Sequence, residues 1–238
     1  GEVTQQRFAR YLEWFAAASA DQARGEASPI YSYLPGAMES AREGLGGGIR
    51  IVLILRDPVA RAYSHYWHEI KMGCEYLPFR EALERCQSED RDLFYHRHHS
   101  YLERSLYTAQ IERARALFGD NNVLVVRLED LKSDPAVTVN RVVRFVAPGA
   151  VERSEEELRQ EPRNAARIPK RTWPNHLLGR INSVLRRNIT PRRLLEINHV
   201  VGRYPRISSD DARFVCDELL DRDPGLLSWY PDLVEVWR

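Results

Sequence analysis

The sequence predicts an α/β fold, a parallel sheet flanked by helices, and three observations carry the prediction. Ile49, Ile51, Val52, Leu53, Ile54 and Leu55 form a short, β-branched-rich apolar run without alternation, as in a strand covered on both faces of a parallel sheet. A second strand is predicted over 123–128. Each is followed by a helical pattern, one opening at Pro58 and one at about Pro135, so strands and helices alternate as in βαβ units.

Taken in order, Phe8, Leu12, Phe15 and Ala16 share one face of an amphipathic helix over about residues 5 to 19. A short strand and turn are predicted for Gly25 to Tyr33, then a helix from about Pro35 to Glu43. The strand at 49–55 leads into a helix from Pro58 to about Met72. A longer helix is expected from Ser100 to Phe118, with Leu102, Leu106, Ala109, Ile111, Ala114 and Leu117 near one side. The strand at 123–128 and a helix from about Pro135 to Val146 complete the βαβ pattern. From Val151 the composition turns charged, and 151–171 reads as a mobile charged loop in which Glu155, Glu156 and Glu157 form a solvated run. The whole, 1–238, reads as a single domain.

Composition excludes several classes. With 238 residues, 43% of them hydrophobic and 29% charged, the chain is long enough for a sizeable core. A formal net charge of +1 gives no electrostatic reason to expect a nucleic-acid partner. No apolar run reaches the roughly 18 residues of a membrane span. Cys74, Cys86 and Cys216 are odd in number and widely spaced, which suggests free thiols in a reducing, cytoplasmic setting. Lys71, Lys132 and Lys170 are the only lysines, an arginine bias that suggests a high-GC bacterial genome.

The segment most charged with chemistry is Arg56 to Ser64. Asp57 is a good helix N-cap and Pro58 suits the first helical position. Ser64 then lies on the second turn, and Arg56 stands at the carboxyl end of the strand, where open α/β sheets bind ligands. A guanidinium and a hydroxyl so placed can converge on one phosphate.

This segment resembles the 3'-phosphate-binding motif of sulfotransferases that use 3'-phosphoadenosine 5'-phosphosulfate, R-[DN]-P-x-x-R-x-x-S, matched by Arg56, Asp57, Pro58, Arg61 and Ser64. The resemblance implies that Arg56 and Ser64 hold the donor's 3'-phosphate while Arg61 braces the loop. Gly25 to Tyr31 looks like the GE-x-SP-x-Y signature of bacterial and heparan-sulfate-type members. Asn122 to Leu131, with Asp134-Pro135 beyond it, looks like the family's next strand and its continuation. Asn164-Ala165-Ala166 and Pro169-Lys170-Arg171 resemble a late segment that covers the 3'-phosphate, which implicates Lys170 and Arg171. Ile207 to Trp229 resembles the family's closing helix and tail. The implied fold is a P-loop-NTPase-like parallel sheet flanked by helices, the sulfotransferase fold. The implied donor is 3'-phosphoadenosine 5'-phosphosulfate and the product 3'-phosphoadenosine 5'-phosphate.

One part of the family pattern has no match. Its 5'-phosphosulfate loop follows the first strand and carries Lys with small or hydroxyl residues at a helix N-terminus. Gly46-Gly47-Gly48 has neither and precedes a strand. The sequence opens with Gly1, so the natural protein is expected to extend upstream and the main catalytic base to lie there. Within the chain, Glu26 of the GE-x-SP match is the candidate base, or else a cap for the turn holding Ser28 and Tyr31. Ala27 stands where heparan-sulfate-type members carry Lys, which argues against a heparan-like acceptor.

His98, His99 and Tyr101 fall where the family's acceptor site often forms and are candidate substrate contacts. His65 and His68 read as packed helix residues. The run His96-Arg97-His98-His99 lacks a spaced partner motif for a metal, reads as a basic loop, and the resemblance requires no metal. Tyr95, Tyr101, Tyr107 and Trp173 fit an aromatic pocket or the core. The predicted acceptor is a hydroxyl or amine of a small molecule or glycan, with a homodimer left open. A P-loop-type kinase and a catalytically inactive nucleotide-binding protein are the alternative readings.

Overall fold

The computed structural model describes residues 2–19, 22–88, 92–158, 167–170, 172–191, 193 and 198–237. In chain order the elements are α1 (Glu2–Glu13), α2 (Ala37–Leu45), β1 (Ile51–Leu55), α3 (Pro58–Met72), α4 (Phe79–Ser88), α5 (Leu93–His98) and α6 (Tyr107–Phe118). They continue as β2 (Val123–Arg127), α7 (Leu128–Ser133), α8 (Pro135–Val146), α9 (Glu155–Leu158), β3 (Arg167–Pro169) and α10 (Thr172–Leu185). The last are β4 (His199–Val201), α11 (Ser209–Arg222) and α12 (Leu233–Trp237). The chain divides into two compact units, Gly1–Ile54 with Ile111–Leu158, and Leu55–Gln110 with Arg159–Arg238.

In the first unit, β1 and β2 are hydrogen-bonded neighbours although helices intervene in sequence, the crossover that parallel strands require. β1 is covered on one face and not both: Leu53 and Leu55 are buried but Ile54 is 60% exposed. An unbroken apolar run identified the strand correctly and its coverage wrongly, because hydrophobicity alone does not say what packs on the second face. Pro135 opens α8 behind Asp134, whose Oδ1 accepts from the Val137 amide at 3.0 Å. Asn140 then clasps the chain beyond the helix, donating to the Arg153 carbonyl at 3.0 Å and accepting from the Arg153 amide at 2.8 Å. Residues 25–33 form no strand. They run irregularly into turns, with Gly25, Glu26, Ala27, Pro29 and Tyr31 exposed and no ladder alongside them among the described residues. Within the stretch read as a charged loop, α9 forms one helical turn and β3 a short strand.

The second unit is organised on α3. Asp57 caps it as expected, its Oδ1 accepting from the Ala60 amide at 2.7 Å, with Pro58 in the first turn. The helix stops at Gly73, whose φ of +66° puts it in the left-handed region that favours glycine. A Cβ there would also meet the Thr190 hydroxyl at 2.9 Å. Val59, Ala62, Tyr66 and Ile70 bury one face of α3, and α10 and α11 pack against the helix. The surrounding core includes Leu83, Tyr95, Tyr101, Val215, Leu219 and Leu233. α10 is docked by polar groups, since Asn175 donates to the Ile70 carbonyl at 2.8 Å and Asn182 to that of Gly73 at 2.6 Å. β3 and β4 pair antiparallel, with Ile168 opposite Val200.

The helix expected over 100–118 is broken. A 3-10 turn at Glu103–Ser105 precedes α6 at Tyr107. Ser105 is taken by α3: its hydroxyl donates to the Pro58 carbonyl at 2.8 Å and accepts from Arg61 Nε at 2.5 Å. Arg61 also donates to the Tyr101 carbonyl. These tertiary bonds outcompete helical continuation across Leu106. α4, whose buried Phe79, Ala82, Leu83 and Cys86 recur at helical spacing, is an element the sequence reading missed.

Candidate functional site

The first turns of α3 form one wall of a cleft of about 370 Å³. Arg56, one residue beyond β1, and Ser64, on the second turn of α3, both line it. The Asp57 cap and Pro58 fix where the helix starts, and thereby where Ser64 stands relative to Arg56. The Arg56 backbone is itself held, its carbonyl accepting from the Tyr107 hydroxyl at 2.8 Å. Arg61 lies on the same turns but is spent inside, on Ser105 and Tyr101. Burial lowers its pKa to about 10, which leaves it charged at neutral pH. It braces the loop and does not line the cleft.

The opposite wall comes from the C-terminal segment, as Tyr204, Arg206, Ile207 and Trp237. Trp237 Nε1 donates to Asp57 Oδ2 at 2.8 Å, so one carboxylate both caps α3 and ties down α12. Tyr204 stacks on Trp67 at a centroid distance of 5.6 Å and an interplanar angle of 9°. Burial raises the Tyr204 phenol, and the positive charge of Arg56 acts in the opposite sense. The cleft thus offers two guanidiniums, a hydroxyl and aromatic surface. Neither guanidinium has an acidic partner among the described residues. Such a lining has the chemistry to suit an anion carried on a flat, partly apolar group.

Sequence reasoning brought Arg56 and Ser64 to this cleft and missed Tyr204, Arg206 and Trp237. Arg206 stands directly before the Ile207 segment that resembles the family's ending, but nothing local marks it as facing Arg56. Lys170 is exposed at a bend after β3, its amide donating to the Asn198 carbonyl at 2.6 Å, and it does not line the cleft. Arg171 lies outside the described residues. Glu26, in the first unit, is exposed and accepts from the Tyr31 hydroxyl at 3.0 Å, the turn-holding arrangement.

The candidate acceptor contacts lie mostly inside the second unit. His99 and Tyr101 are fully buried. Tyr101 donates its hydroxyl to Glu75 Oε2 at 2.9 Å, and His99 Nε2 lies 3.1 Å from the Cys74 carbonyl. Both side chains are thus engaged inside the core. Tyr95 and Tyr107 are likewise core residues, whereas Trp173 is 63% exposed. His98 ends α5 instead of lying in a basic loop, with Nδ1 2.7 Å from Glu69 Oε2. Its imidazole and that of His65 hold the buried Glu69 carboxylate down at about 2, against a desolvation that alone would raise it. Burial holds His65 neutral, at about 4.

Comparison with known proteins identifies the class. The sequence model of the sulfotransferase domain matches residues 44–165, just over half of the chain and including the Arg56–Ser64 motif. The chain belongs to the sulfotransferase domain family, and it is an enzyme of sulfuryl transfer. A crystal structure of a sulfotransferase from Alicyclobacillus acidocaldarius is similar to it, with a TM-score of 0.52 and 25% identity over 76% of this chain and 72% of that one. No curated protein matches. Among the described residues, no helix is long and apolar enough to cross a membrane.

Proposed function

We propose that this sulfotransferase takes its sulfuryl group from 3'-phosphoadenosine 5'-phosphosulfate, gripping the 3'-phosphate between Arg56 and Ser64, and delivers it to a hydroxyl or amine of a small-molecule or glycan acceptor. The observation that carries the reading is that Arg56 and Ser64, eight residues apart, line one cleft at the start of a capped helix. The helix N-terminus adds its own partial positive charge to that of the guanidinium. Arg206 supplies a second cation, and Tyr204 and Trp237 give aromatic surface to the nucleoside. Glu26 is the candidate base within the chain.

Sulfuryl transfer asks the protein to align donor and acceptor and to neutralise charge gathering on the leaving phosphate. A 3'-phosphate held at a fixed helix start serves alignment, because it anchors the nucleotide at the end remote from the reacting bond. Calorimetry tests the donor directly, comparing 3'-phosphoadenosine 5'-phosphate with ADP and ATP. The expected result is clear preference for the 3'-phosphorylated nucleotide; equal or tighter binding of ATP would refute it. Transfer from labelled donor to panels of phenols, sugars and amines then identifies the acceptor class.

A further inference from the structure

Away from the cleft, four metal-ligating side chains meet at the other end of α3. His65 and Glu69 are one turn apart on that helix, Cys74 follows its Gly73 terminus, and His98 ends α5. Ligand atoms of Glu69, Cys74 and His98 all lie within 4.8 Å of one another. His98 Nδ1 is 2.7 Å from Glu69 Oε2, and His65 Nε2 is 3.3 Å from Glu69 Oε1. The site is enclosed: Cys74 is fully buried, and the Glu69, His65 and His98 side chains are 4%, 8% and 19% exposed. His65 is the independent sign. Both of its ring nitrogens are buried without a hydrogen-bond partner among the described residues, although Nε2 faces the Glu69 carboxylate.

A buried imidazole that meets a buried carboxylate only at long range, beside a buried thiol, is costly as a hydrogen-bond network. Three of its donors, from Glu69, Cys74 and His98, already stand close enough to share a cation. Nitrogen, oxygen, sulfur and nitrogen donors form the four-coordinate, borderline-soft set that suits zinc, whose bonds of about 2.0 to 2.3 Å require donor atoms roughly 3.3 to 3.7 Å apart. Glu69, Cys74 and His98 stand within 4.8 Å of one another, and His65, 3.3 Å from the other Glu69 oxygen, has to swing inward to serve as the fourth donor. Charge also balances, since one carboxylate, one thiolate and two neutral imidazoles offset a divalent ion. Surrounding bonds fix the donors: His99 Nε2 lies against the Cys74 carbonyl, and the Tyr101 ring meets the His65 ring edge-on at 5.0 Å.

We infer that His65, Glu69, Cys74 and His98 bind one zinc ion, a structural clamp fastening the C-terminal half of α3 to α5. On binding, the ion displaces the Cys74 thiol proton and any proton shared between Glu69 and His98, and both leave to solvent. His65 adjoins Ser64, so the clamp also steadies the helix register on which the cleft depends.

The test is metal content and spectroscopy on the whole chain. After dialysis against zinc and then metal-free buffer, one zinc per chain is expected. Cobalt exchanged into the site should show a thiolate-to-cobalt charge-transfer band that Cys74→Ser abolishes and His98→Gln alters. Zinc, and not magnesium, should raise the melting temperature of the unmodified chain, a readout independent of whether the variants fold. Failure to retain zinc above background, or a charge-transfer band unchanged in Cys74→Ser, would overturn the assignment.

Discussion

The two ends of α3 handle charge in opposite ways. At its start, Arg56 and Arg206 face a cleft with no acidic partner among the described residues, and Ser64 makes no internal use of its hydroxyl that competes with a ligand. One turn further on, Glu69 is 3% exposed and enclosed by imidazoles, and the neighbouring Glu75 is fully buried against Arg85 at 2.7 Å and Tyr101. Charge left unpaired at a surface lowers the cost of receiving an anion. Charge paired inside fixes the architecture that holds the first kind in place. The difference teaches which arginine of the motif is left open to the cleft: Arg56, and not Arg61, which is consumed by Ser105 and Tyr101.

The strongest way to break this contrast is to remove the buried anion. Glu69→Gln should destabilise the chain by about 3 to 5 kcal/mol, because it breaks the buried carboxylate contacts to His98 and His65 from one side. Chemical denaturation measures it; a loss below about 1 kcal/mol would show that the buried end is not built on that carboxylate. Arg56→Ala should act in the other direction, costing about 2 to 3 kcal/mol of 3'-phosphoadenosine 5'-phosphate binding by calorimetry with little change in stability. Undiminished affinity would remove Arg56 from the site. Ser64→Ala loses one hydrogen bond to the same group, and a smaller deficit of about 1 kcal/mol is expected.

The smallest effect belongs to an exposed pair. Arg186 meets Asp92 at 2.6 Å and, as the largest cause, pulls its carboxyl down to about 2 from the ordinary 3.8. A depressed acid stabilises the fold above its unfolded pKa and loses that contribution as pH falls towards the folded value. Asp92→Asn should therefore cost under about 1 kcal/mol at neutral pH, and its melting temperature should converge with the parent's between about pH 4 and 2. Parallel curves across that window would show that the pair contributes nothing.

The cleft was half legible in the sequence. Arg56, Asp57, Pro58 and Ser64 lie within one strand-to-helix junction, where capping rules and helical spacing fix relative positions locally. Tyr204, Arg206 and Trp237 are far along the chain, and only packing of the C-terminal segment on α3 sets them opposite. The cysteine and histidine cluster was illegible for the same reason. The His96–His99 run has no partner motif nearby, because His65, Glu69 and Cys74 reach it through the fold. The apolar run of β1 announced a strand but not the exposed Ile54, and the apolar period over 100–118 could not register the claim of α3 on Ser105.

By itself the sequence determined the α/β class, the start of α3 and the pairing of Arg56 with Ser64, since each rests on contacts within a few residues. Only the tertiary structure decided which arginines stay open, where helices break and which buried side chains converge, because burial and long-range hydrogen bonding depend on segments whose approach no local pattern encodes.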